Sequence, residues 1–330
     1  MIYPDASLML HDRRIVPPLL LAPMAGITHS AFRRLVARFG GYGALTTEML
    51  PTQTLLSENM TASPLTKRRS EEGTVFYQLV ITGKAPFADA LKRLLDHKPF
   101  GIDINLGCPA PMISRKGGGK ALFDDMVRLH EVLDTIRSAW SGPLSVKCRL
   151  GHDTKDWQEQ FLQRVELFTA FEIDALCVHP RFFHEKLKRR ARWELFSWVK
   201  SHWNGILIGN GDMTDRTALQ LLAPGSCDGL MIGRAAVTRP WIFQELCGIT
   251  VTVDYRQVWD DFYRYTLEDF SHERAIGKIK EFTVYYAANF MFGHELFRRV
   301  QSAPNLETVY ERAHDFFKKG PQVVGGNRQR

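Results

Sequence analysis

Residues 206–236, ILIGNGDMTDRTALQLLAPGSCDGLMIGRAA, contain two short apolar runs, 206–212 and 229–236, on either side of an amphipathic stretch over 214–223. Each run begins apolar and ends on glycine and polar residues. That pattern fits a strand buried on both faces that runs into a loop and then a helix, the repeating unit of a parallel sheet. The same unit recurs upstream. Strands are expected over 16–25, 44–50, 74–81, 101–108, 144–151 and 175–182, with helical patterns over 30–39, 85–96, 121–139 and 155–171. Eight such strands close a (β/α)8 TIM barrel, an α/β fold that takes about 250 residues. An open, doubly wound sheet is the competing arrangement, but no G-x-G-x-x-G follows the first strand. Beyond residue 250 no strand pattern remains. Helical periods over 255–271, 275–292 and 305–319, rich in aromatics, predict a C-terminal all-α helical bundle over 251–330, with a frayed tail from about residue 320.

Composition narrows the function. The 330 residues carry a net charge of +7 and 45% hydrophobic content. A basic chain with a large core points to a polyanionic partner, nucleic acid or an anionic surface. No run of about 18 apolar residues suggests a membrane span. The early residues Asp5, His11 and Asp12 do not resemble a signal peptide. The cysteines, at 108, 148, 177, 227 and 247, are odd in number with no C-x-x-C pair, which argues against disulfides and a zinc site and for a reducing cytoplasm.

Barrel enzymes build their sites at the C-terminal ends of the strands. Those ends carry Pro23-Met24-Ala25, Glu48, Gln78, Asn105, Lys147 and Arg149, His179 and Arg181, Asn210-Gly211-Asp212 and Gly233-Arg234. With a side-chain period of two, Asp103 and Asn105 share a face, as do Lys147 and Arg149, His179 and Arg181, and Asn210 and Asp212. Glycine-containing turns after strands seven and eight favour a phosphorylated cofactor. Gln78, Asn105, Lys147 and His179 can hold the polar edge of a flavin, with the lysine stabilising an anionic reduced ring. Lys147 paired with Glu48, and His179 as a core histidine or a metal ligand, are the alternatives. No second ligand at metal spacing accompanies His179, and no metal is expected.

Cys108 opens the loop after strand four, and Gly117-Gly118-Gly119 follows as a candidate mobile closure. A thiol of ordinary pKa is protonated at neutral pH and can serve as an acid. Cys148, Cys177 and Cys227 fit the ordinary role of small core residues better. Basic clusters at 67–69, 186–192 (KLKRRAR) and Lys278/Lys280 are candidate RNA contacts or solvated faces. Trp157, Phe182, Phe183 and Trp193 are candidates to stack on a base, or core.

LAPMAGIT (21–28), TEM (47–49), INLGCP (104–109), RKGGGKAL (115–122), VKCRLG (146–151), NGDM (210–213) and MIGRAAVTRPWIF (231–243), in that order, resemble the tRNA-dihydrouridine synthase family. The resemblance implies an oxidoreductase using FMN, with NADPH or NADH as transient reductant, tRNA as partner and a monomeric chain. It implies Cys108 as proton donor. Pro23, Met24 and Ala25 would line the flavin, and Gln78, Lys147 and His179 would hold its ring. Asn210, Gly211, Asp212, Gly233 and Arg234 would surround its phosphate. Asn105 would face flavin or uracil, Arg149 and Arg181 would lie near the base, and Lys278 and Lys280 would meet the RNA. Two departures stand out: Pro180-Arg181-Phe182 where the family usually has Gly or Ala, then Arg and Thr, and the long basic stretch 184–192. Free-pyrimidine reduction, action on another structured RNA, and a non-catalytic RNA-binding barrel are the competing readings.

Overall fold

The computed structural model describes residues 5–83, 86–185, 187 and 189–324. Eight parallel strands form its centre: β1 (Leu19–Leu21), β2 (Leu45–Thr46), β3 (Val75–Val80), β4 (Gly101–Leu106), β5 (Leu144–Arg149), β6 (Ala175–His179), β7 (Ile206–Asn210) and β8 (Gly229–Ile232). Their order is β1-β8-β7-β6-β5-β4-β3-β2, and a parallel bridge from Leu20 to Ala44 joins the two ends into a barrel. Leu50–Pro51 pairs alongside β3. Every expected strand is present, and each stops before its expected end. Backbone geometry explains two of the early ends. Gly211 and Asp212 sit at φ +112° and +54° just after β7, and Gly151 at +95° two residues past β5, conformations a strand does not tolerate. After β8, Arg234–Thr238 turns directly into helix.

A hairpin that the sequence did not announce, Leu8–Leu10 with Arg13–Ile15, precedes the barrel. Leu8, Leu10 and Ile15 pack on Leu20, Ala44, Phe76, Cys177, Ile208 and Met231, forming a separate small core. A Cβ on Gly229 would meet Leu8, so the hairpin lies against the start of β8 and closes the end opposite the strand tips.

The helices wrap the barrel. The expected helix 121–139 divides at Asp125, whose carboxylate accepts from Arg128 N at 3.0 Å and starts Met126–Ala139 afresh. The expected helix 275–292 becomes His272–Tyr286 and a short 3-10 turn, and a further helix, Gly293–Gln301, follows outside any expected span, while Tyr255–Asp269 and Leu306–Lys318 are near their expected spans. Asp254 and Asn305 cap the two latter helices at their N-termini. The helical region is not separate from the barrel core: Phe32 of helix Ser30–Phe39 meets Phe262 and Phe282, which stack at 4.0 Å. Buried Asp269 accepts from Arg69 at 2.6 Å and also binds Lys67 and Ser30. Two residues of the 67–69 cluster therefore serve a barrel-to-helix clamp. The tail is tied down further than expected, because Val324 N donates to Asn289 O at 2.8 Å and Met291 N to Gln322 O at 3.0 Å. Residues 325–330 lie outside the described residues, as do Lys186 and Lys188.

Candidate active site at the barrel mouth

Parallel register brings the candidate residues together. Gln78 lies opposite Asp103, Asp103 opposite Ser145, Asn105 opposite Lys147, and Arg149 opposite His179. Around the strand tips is a cavity of about 150 Å³ lined by Pro23, Met49, Asn105, Gly107, Cys108, Pro109, Lys147, Arg149 and His179. Glu48, the alternative partner for Lys147, instead accepts from Gly26 N at 2.7 Å, within the field of Lys278. Burial pushes its carboxyl up from the ordinary range.

His179 is held neutral: burial, then the charges of Lys147, Arg149, Arg181 and Arg234, bring its pKa down to about 2. Arg181 Nη1 approaches His179 Nε2 at 2.5 Å. A guanidinium only donates, so Nε2 accepts and the ring proton resides on Nδ1, the other edge of the ring. Arg149 is buried, and burial lowers its pKa; its Nη1 donates to the carbonyls of Phe182 and Glu185.

Arg181 differs from the expectation of a substrate contact. Its side chain is fully buried and donates to Asp212 Oδ2 at 2.6 Å, to the carbonyl of Arg189 and to His179. Asp212 also accepts from Arg234 Nη2 at 2.9 Å and Ala191 N at 2.8 Å. Trp193 Nε1 donates to Gly211 O at 2.9 Å, and Arg192 binds Glu185 through both nitrogens. The basic segment after β6 is thus stitched onto the tips of β6 and β7. Asn210 donates to Met231 O at 2.8 Å, fastening β7 to β8. A Cβ on Gly211 would stand 2.6 Å from His179 Cδ2, so only glycine fits there. Gly233 is followed at once by the helix bearing Arg234, beside Met24.

Gln78, expected to touch the flavin ring, is fully buried behind Asn105. Its Nε2 donates to Asp103 at 2.6 Å and its Oε1 accepts from Asn105 at 2.8 Å. Asn105 Oδ1 in turn accepts from Cys108 N at 3.0 Å and Gly107 N at 3.2 Å. The glycine run is packed rather than free: Gly118 and Gly119 are buried, and a Cβ on Gly119 would lie 2.6 Å from the Cys108 carbonyl. Phe182 and Phe183 are also core, edge-on to Trp157 and Phe123. Lys280 donates to Ala303 O at 2.7 Å within the helical region. Lys278 reaches Gly26 O at 2.8 Å and lines a second cleft, of about 800 Å³, between residues 58–65 and helix His272–Tyr286. Among the described residues no group of three or more potential metal ligands occurs, and no helix is long and apolar enough to cross a membrane.

A parallel barrel with a thiol, an ammonium, a guanidinium and a neutral imidazole around one cavity at its strand tips defines a barrel-mouth enzyme. The family model "Dihydrouridine synthase (Dus)" matches residues 20–303, and the chain belongs to that family. A "Probable tRNA-dihydrouridine synthase" from Rhodobacter capsulatus is 32% identical over 244 residues, 71% of this chain and 72% of the relative. A "tRNA-dihydrouridine synthase B" from Vibrio parahaemolyticus is 32% identical over 229 residues, covering 69% and 70%. Its namesake in Pseudomonas putida is 33% identical over 232 residues, covering 69% and 67%. Among solved structures, 6-hydroxypseudooxynicotine amine oxidase from Pseudomonas geniculata N1 shares the fold at a TM-score of 0.55 and 12% identity, over 74% of this chain and 49% of that one. The family makes the chain an oxidoreductase.

Proposed function

We propose that the chain reduces the C5–C6 double bond of a uracil base in tRNA, with FMN at the barrel mouth, NADPH or NADH as reductant and Cys108 as proton donor. The observation that carries this reading is the single cavity shared by Cys108, Lys147, Arg149 and His179. These residues fit a flavin in kind: Lys147, Arg149 and His179 supply N–H donors for an acceptor-rich ring edge, and Pro23 and Met49 supply apolar lining. Relatives that bear the name tRNA-dihydrouridine synthase, and the net charge of +7, support a tRNA substrate.

Held by these residues, FMN would supply a hydride at uracil C6, with the nicotinamide as the source of its electrons. Cys108 delivers its S–H proton to C5 and takes a proton back from solvent, so that one hydride and one proton enter the base. Lys147 holds negative charge at the ring edge, His179 offers Nδ1–H without adding charge, and Arg149 bounds the base side. Gly211, Gly233 and Arg234 would border the phosphate.

The test incubates flavin-loaded protein with NADPH and transcribed tRNA and measures dihydrouridine. Free uridine and an unrelated folded RNA are the comparison arms. Turnover of tRNA alone is expected; turnover of free uridine, or a protein that retains no flavin, refutes the proposal. Cys108→Ala should keep flavin and tRNA affinity and lose turnover by about 100-fold or more, the usual worth of a positioned acid.

A further inference from the structure

Asp103 lies behind the cavity, only 2% exposed, and does not line it. Its carboxylate oxygens are each held by a neutral donor, Oδ1 by Ser145 Oγ at 2.6 Å and Oδ2 by Gln78 Nε2 at 2.6 Å. A buried carboxylate without a bonded cation is expensive, and a leucine of similar shape would fill the same space. Its position in the hydrogen-bond network gives it a use.

We propose that Asp103 is a positioning residue that fixes Gln78 at the β4 floor, so that Gln78 supplies the acceptor for Asn105 Nδ2 and the chain of hydrogen bonds to the Cys108 backbone runs one way. Burial pushes the Asp103 carboxyl up from the ordinary range, with Ser145, Gln78 and Lys147 pulling it back; its Oδ2 accepts from Gln78 Nε2, which turns Gln78 Oε1 toward Asn105. Asn105 then donates through Nδ2, which leaves Oδ1 to receive the N–H groups of Cys108 and Gly107. An amide is nearly symmetric in shape, so packing alone does not choose between its two orientations. Reversing Asn105 would set NH2 against N–H and release the start of the Cys108 loop. The relay matters for catalysis only through the acid role proposed for Cys108, and in that arm it rests on the functional reading above.

Three variants test it. In Asp103→Asn the amide oxygen still accepts from Gln78 while Ser145 Oγ accepts from the new NH2, so the relay survives. Asp103→Leu removes the acceptor and lets Gln78 turn, which sets its NH2 against that of Asn105 and loosens Asn105 beneath the Cys108 and Gly107 N–H groups. Asp103→Leu/Gln78→Glu restores direction, because a glutamate at 78 can only accept from Asn105. The first readout is the rate of iodoacetamide labelling of Cys108, followed by peptide mass spectrometry on flavin-loaded protein. Labelling is expected to rise roughly fivefold to tenfold in D103L, about the worth of one lost hydrogen bond. It should return to within about twofold of the parent in D103L/Q78E and stay there in D103N. Dihydrouridine formation should fall and recover in parallel. Unchanged labelling in folded D103L, or no recovery in the double variant, overturns the relay. A loss in D103N as large as in D103L also overturns it, since negative charge rather than direction would then be what matters. If D103L does not fold, Gln78→Met breaks the same chain one link nearer Cys108 and must raise labelling to the same degree. Should the parent protein make no dihydrouridine, the functional reading fails while the labelling arm still judges the relay.

Discussion

Replacing Arg181 with methionine separates the role suggested by the sequence from the one the fold gives it. In the structure the guanidinium is fully buried and joins Asp212, His179 and the carbonyl of Arg189. Removing one partner from a buried charged pair costs about 3–5 kcal/mol. Asp212 keeps two other donors, Arg234 and Ala191 N, and its side chain is 20% exposed, so the loss belongs at the lower end, about 3 kcal/mol. For a chain of this size each kcal/mol lowers the midpoint by roughly 2 °C, giving about 6 °C in a thermal melt. His179 also loses one of the cations that depress its pKa, so that pKa moves upward, while burial, Lys147 and Arg149 keep it low. Differential scanning calorimetry of R181M, read beside dihydrouridine formation at a temperature where the variant is folded, is the assay. A melt within about 1 °C of the parent, together with lost turnover, would refute the clamp and return Arg181 to the substrate.

Neutralising Lys67 and Arg69 to Gln should destabilise the protein by about 2–3 kcal/mol through unpaired, buried Asp269, and leave the salt slope of tRNA binding unchanged; denaturant titration and filter binding check the two halves. Arg189 and Arg190 are exposed, Arg189 reaching Glu185 only at 3.7 Å, whereas half-buried Arg192 grips Glu185 at 2.5 and 2.8 Å. R189Q/R190Q should therefore flatten the salt slope by about 1–2, and R192Q should leave it alone. His29 is buried with neither ring nitrogen bonded, edge-on to Phe270, and burial followed by Lys278 and Arg33 drives its pKa far down. Between the depressed folded pKa and the ordinary unfolded one, the unfolded chain binds the extra proton, so stability falls as pH drops below about 6.5. His179, its pKa lowered to about 2, adds to the same loss, so His29→Phe should reduce the slope between about pH 6.5 and 4.5 by one histidine's share in urea titrations; an unchanged slope removes His29 as a source.

The barrel was legible because each strand is an apolar run with a polar tip, and a period of two decides which tips share a face. The cavity residues Asn105, Lys147, Arg149 and His179 came from that rule, and Cys108 from its place at the start of the loop that follows. The hairpin over residues 8–15 was not legible, since three-residue strands around the turn at His11 have too short a pattern to stand out. The errors at the site share one cause. A polar residue at a strand end can face the cavity or stand one layer behind it, and the sequence gives only the face, not the depth. Gln78 and Arg181 carry the same polar signal as Asn105 and Arg149, yet they bind other side chains instead of lining the cavity. Asp103 was seen only as sharing a face with Asn105, because one residue cannot reveal that its two oxygens meet Ser145 and Gln78 on neighbouring strands.

The small cavity and the larger cleft are joined through one turn. Lys278 and Glu281, on the helical region, flank Gly26 of the loop after β1: the lysine bonds to the Gly26 carbonyl, and the Glu281 carboxylate lies 2.6 Å from where a Gly26 Cβ would be. Glu48, at the end of the next strand, grips the Gly26 N–H. The rim of the barrel mouth and the wall of the larger cleft therefore meet on one backbone turn whose φ of +79° suits glycine alone. Asp269, at the far end of the preceding helix, anchors the same helical region to Lys67 and Arg69. With the wall fixed at two points, the helical region is held in register with the strand tips. The 800 Å³ cleft therefore reaches the barrel rim at a turn whose neighbours, Pro23 and Met49, line the cavity that holds Cys108.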